Sequence, residues 1–122
     1  MAAVVLVHLV VTVVHGTAHT GAHVPLSPAA NVFVIAVILA GPLIGLAVSL
    51  WAKRLGAWIV ALTMGGSLVF GFLNHFVFNS PDYILQVDPK WRALFTVTAV
   101  LLAFTEALGF GLAIRLARRP AT

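Results

Sequence analysis

His8, Thr12, His15, His19 and His23 lie along one face of the first apolar segment. At ~100° per residue the four histidines fall within a sector of roughly 80°. Histidine is uncommon inside a membrane-spanning helix, because an imidazole in hydrocarbon needs a partner for each ring nitrogen. Such a stripe implies a helix turned towards a polar interior, a cofactor or a metal rather than lipid. His15 and His19 stand at i, i+4, the spacing that aims two imidazoles at one ion. A third imidazole from another helix would complete the site; His75 is the candidate, with His23 as a further ligand. Neutral imidazole suits zinc, copper, iron and nickel alike, so ligand type does not choose the metal. Asn74 and the Thr12 and Thr17 hydroxyls are available to hold the free ring nitrogens.

The elements that must position these side chains are membrane spans. Apolar residues make up 61% of the chain and charged residues 8%, where a soluble domain carries about 25% charged. Mean hydropathy is +1.10. No Lys or Arg precedes Lys53 and no acid precedes Asp82. Four stretches, about 2–22, 31–52, 56–79 and 91–114, are long enough to cross ~30 Å of hydrocarbon. The expected architecture is an all-α integral membrane protein, a single four-helix domain over 1–122. The basic pI comes from a few loop and tail residues and does not point to nucleic acid. Without cysteine there is no disulfide and no thiolate ligand.

Between the spans, residues 24–31 carry two prolines, with Ser27 or Asn31 placed to cap the next helix. Lys53-Arg54 marks a tight turn. Residues 79–90 form the longest loop, expected on the surface with Tyr83, Ile84 and Leu85 dipping into the interface. Pro42, inside the second span, predicts a kink, tolerable in a membrane helix where neighbours re-satisfy the freed carbonyl. Lys53, Arg54, Arg115, Arg118 and Arg119 cluster at one end, so both termini are expected to be cytoplasmic. The first segment has no basic residues ahead of it and polar histidines interrupt it, which argues against a cleaved leader. The expected location is a bacterial inner (plasma) membrane, crossed several times.

With spans one and three running outward, depth relates residues distant in sequence. His75 lies roughly 6 Å below the end of its span, His19 roughly 5 Å and His15 roughly 10 Å below theirs. Glu106 and His8 lie deeper, at roughly 22 and 21 Å. Two layers follow: an outer cluster of His15, His19, His75 and His23, and an inner pair of His8 and Glu106. An ionised carboxylate in hydrocarbon is costly, so Glu106 is expected to be protonated, paired or bound to a cation. A proton relay through Glu106 and His8 is the catalytic reading; a structural hydrogen bond is the simpler one.

A b-type haem, held by two axial ligands from facing helices, is the rival cofactor. His8 and His19 are separated by the same interval as Met64 and His75, so His19 with His75 and His8 with Met64 could form two stacked pairs. Gly16, Gly65, Gly66 and Gly71 would leave room for a porphyrin edge. Three functions remain open at this stage. The favoured one is metal-dependent redox chemistry or metal handling at a centre near the outer face, with copper, zinc or iron. The second is a small cytochrome exchanging electrons with a quinone, an oxidoreductase. The third is a non-catalytic subunit of a larger membrane complex. Gly41-Pro42-Leu43-Ile44-Gly45 contains a small-xxx-small spacing suited to close packing inside the bundle or to a homodimer. Trp51, Trp58 and Trp91 fall near span ends, where indoles anchor at the bilayer surface.

Overall fold

Each apolar stretch folds as one long helix. The computed structural model describes residues 1–119. It contains α1 (Ala2–Gly21), α2 (Pro28–Ser49), α3 (Lys53–Val77) and α4 (Pro89–Ala117), all long and apolar enough to cross a membrane. The caps follow from local chemistry. Ser27 Oγ accepts from the Ala30 amide at 3.1 Å and Pro28 occupies the first helical position of α2. Asp88 does the same for α4, accepting from the Lys90 amide at 2.8 Å ahead of Pro89. Lys53 and Arg54 are the first residues of α3 rather than the turn itself, which falls at 50–52.

Side chains that would face lipid are large and apolar. Val10, Leu62, Val97 and Phe104 are among many exposed hydrophobics, a surface that water would not tolerate but hydrocarbon does. Inside, Val5, Val60, Ala61, Met64 and Ala113 pack at the end holding the start of α1 and the close of α4. Ala18, Val87 and Phe95 pack at the other end, with Ile84 and Trp91 against them.

The helices pair in the order α2 with α3, α3 with α4 and α4 with α1, while α1 and α2 touch lightly. The α2–α3 seam uses the glycines noted above. A Cβ on Gly45 would lie 2.9 Å from the Val60 nitrogen and 3.0 Å from the Gly56 carbonyl oxygen, so only glycine lets these backbones meet. Within the chain, then, the small-residue spacing serves the bundle.

Pro42 explains the irregularity of α2. The helix widens to a π-helical stretch over Val34–Ala40 just before Gly41-Pro42. Proline has no N–H for the Ile38 carbonyl, the partner it would have in an α-helix. His8 Nε2 supplies one from α1, at 3.2 Å. A second π-helical stretch, Leu73–Val77, ends α3 and carries His75. Such widened turns recur at functional sites because they re-aim a side chain without ending the helix.

Candidate metal centre

Three imidazoles meet where α1 and α3 end and α4 begins. His15, His19 and His75 each offer a nitrogen, and these atoms all lie within 4.8 Å of one another. His15 stands edge-on to both others, with ring centroids 4.8 Å from His19 and 4.9 Å from His75. Phe95 of α4 forms an apolar wall common to all three, its ring centroid 4.7, 4.8 and 5.3 Å from theirs. His15 and His75 are buried and His19 is partly buried. A tetrahedral ion with metal–nitrogen bonds of about 2.0–2.1 Å sets its ligand atoms about 3.3 Å apart. The imidazole nitrogens, within 4.8 Å of one another, must draw closer to reach that spacing, and the cluster could hold a metal ion.

Hydrogen bonding shows which nitrogen is free on two of the rings. Thr98 Oγ1 donates to the Leu94 carbonyl in its own helix, at 2.7 Å. Its only hydrogen is thus committed, and towards His15 Nδ1, 2.7 Å away, it acts as acceptor. His15 therefore carries its proton on Nδ1, and its buried Nε2 has no hydrogen-bond partner among the described residues. His75 follows the same pattern: Nδ1 donates to the Asp82 backbone carbonyl at 3.1 Å, which frees Nε2. Histidine ligands are usually held this way, one nitrogen fixed by an acceptor so that the other presents its lone pair. His19 Nε2 lies 3.3 Å from Asp82 Oδ1.

The inner layer forms as depth implied, with an additional constraint. His8 Nδ1 lies 4.0 Å from Glu106 Oε1, both side chains almost fully buried. That separation is too long for a direct hydrogen bond. His8 Nε2 is already donating to Ile38, so only Nδ1 is left to face the carboxyl group. Thr12 Oγ1 donates to the His8 carbonyl at 2.8 Å and touches the same ring.

A cavity of about 330 Å³ joins the two layers, lined among others by His15, His19, His75, Asp82, Thr12 and Glu106. It lies beside the loosely packed α1–α2 seam, with Asn31, Val34 and Ile38 on the α2 side. Gly71 separates the layers. A methyl group at its Cα would sit 3.8 Å from His75 Cδ2 and 4.0 Å from Glu106 Oε2.

Other residues singled out from sequence lie elsewhere. His23 does not join the cluster: α1 ends at Gly21, and His23 adopts a left-handed backbone, φ 54°, at an exposed position. Met64 packs in the apolar cluster with Val5, Val60 and Ala113 and does not line the cavity. Gly16 and Gly71 do line it; Gly65 faces Phe110 instead. Thr17 donates to Val14 and Asn74 to Phe70, each within its own helix, so neither holds a ring nitrogen. Comparison with protein-family models, with curated proteins and with solved structures found no match to this chain.

Three residues of the centre escaped sequence reasoning. Thr98 and Phe95 look like ordinary residues of an apolar helix and carry no local signal. Asp82 carried a signal that was not used. The loop of residues 78–88 does not simply lie on the surface; it folds back over the bundle end and buries Asp82 and Val87. An acid just ahead of the apolar run Tyr83-Ile84-Leu85, in a loop closing a membrane bundle, is the pattern that could have found it.

Proposed function

We propose that this chain is a membrane-embedded metal protein, one domain over residues 1–122, with His15, His19 and His75 as ligands of a single ion. The observation that carries this reading is the unpartnered, buried Nε2 of His15, aimed among two further imidazoles while Thr98 holds its other nitrogen. A histidine present only for packing would spend both nitrogens on hydrogen bonds, as burial of polar atoms demands.

The distribution of Lys and Arg supports a reading with both termini in the cytoplasm and the centre near the outer face. Protons compete with the metal, because each ligand must present a lone pair. Glu106, at the other end of the same cavity, and His8 beside it are the groups we assign to exchanging such protons. The ion is handled or used in chemistry at this end of the bundle. A mononuclear ion is favoured over haem b because His15 lies edge-on between His19 and His75, where a porphyrin would need axial imidazoles on opposite sides.

The test is metal content of the purified protein together with its visible spectrum. Wild type should carry about one zinc, copper or iron per chain and show no Soret band. His19→Ala and His75→Ala should each strip the metal, and His23→Ala should keep it. Full retention in the His19→Ala/His75→Ala double variant would overturn the assignment.

A further inference from the structure

Asp82 is the one side-chain charge at the centre that histidines alone do not account for. The residue is only 7% exposed, and Oδ1 is buried without a hydrogen-bond partner among the described residues. Oδ1 lies 3.3 Å from His19 Nε2 and 4.0 Å from His75 Nδ1. The contact with His19 has ion-pair distance but not hydrogen-bond alignment. Among the described residues no Lys or Arg pairs with Asp82. The nearby guanidinium of Arg92 instead donates to the carbonyls of Leu85 and Val87. A buried carboxylate with neither a hydrogen bond nor a Lys or Arg partner is expensive. A cation placed between it and the imidazoles removes that cost.

The loop is built to hold this arrangement. On one side of Asp82 its own backbone carbonyl accepts from His75 Nδ1; on the other, the Ile84 amide donates to the His75 carbonyl at 3.1 Å. Ile84 and Val87 pack on Ala18 and Phe95, the residues that border the cluster. The 3.3 Å between Oδ1 and His19 Nε2 also matches the separation of neighbouring ligand atoms on one tetrahedral ion, about 3.3 Å.

We infer that Asp82 is a fourth, loop-borne ligand of the His15–His19–His75 centre, which thereby takes a divalent cation in a set of three nitrogens and one oxygen. This rests on the three-histidine reading above and narrows it. Imidazole with carboxylate suits zinc and other borderline divalent ions, whereas copper(I) prefers soft sulfur ligands. Four protein ligands close the site at rest, the arrangement of centres that hold an ion. Exchange with the outside then passes through the 78–88 loop, because Asp82 stands between the histidines and that face.

The experiment uses the full chain in detergent, with Zn2+ affinity measured by chelator competition and Co2+ as the spectroscopic probe. Asp82→Asn should weaken Zn2+ and Co2+ binding by at least about tenfold and shift the visible Co2+ bands, since one oxygen ligand is lost. Asp82→Glu, which keeps the carboxylate, should recover part of the affinity, and unchanged helix content by circular dichroism confirms that both variants fold. Unchanged affinity in Asp82→Asn would overturn the inference. So would weaker binding with an unchanged Co2+ spectrum, which would make Asp82 a group that only orients His19. Failure of wild type to bind any of these ions would instead remove the three-histidine reading itself.

Discussion

Replacing Thr98 by valine tests the centre through a residue that never touches the ion. The two side chains have nearly the same shape, so packing against α1 is kept while the acceptor for His15 Nδ1–H, now at 2.7 Å, disappears. Without metal, His15 can shift its proton to Nε2 or turn slightly, and part of the loss is relieved. With metal on Nε2, the proton must stay on Nδ1, buried and facing a methyl group. The penalty is therefore larger in the bound state, and affinity falls. Loss of such a supporting contact typically weakens metal binding 10–100-fold, equivalent to about 1.4–2.8 kcal/mol. That range agrees with the cost of leaving one buried donor unsatisfied, about 1–3 kcal/mol. Chelator competition with Zn2+ in detergent reads the effect directly, and Thr98→Ser, which restores the hydroxyl, should bind like wild type. Binding by Thr98→Val within about threefold of wild type would refute the argument, since His15 would then not depend on Thr98 to present its lone pair.

Two further outcomes address the proton pathway and the orientation. Glu106→Gln keeps the size of the side chain but removes its ability to exchange a proton, so it should leave Zn2+ affinity at one pH within a few-fold while altering how metal loading varies with pH. Superimposable pH profiles for the two proteins would reduce Glu106 to a packing role. A topology reporter fused after Thr122 should behave as cytoplasmic and one inserted after the exposed Gln86 as external; an external C-terminus would place the metal centre on the inner face.

The sequence by itself determined the elements and their vertical register. Four helices follow from hydropathy and length, because backbone groups in hydrocarbon must bond within their own segment. The fixed rise per residue set His8 level with Glu106, and His15 and His19 level with His75, before any packing was known. Helical periodicity likewise put the histidines on one stripe. What it could not give was azimuth and loop path. Whether a ring on α1 meets Thr98 or Asn74 depends on how far each helix turns about its axis, which side-chain packing sets across α1 and α4. His23 shares the stripe only while the helix lasts, and α1 ends at Gly21. Asp82 lies in a segment without periodicity, and its place over the histidines rests on contacts such as Ile84 with His75 and Val87 with Phe95. The packing of Val87 and Phe95 on Ala18 joins residues far apart in the chain, and it exists only once the bundle has closed.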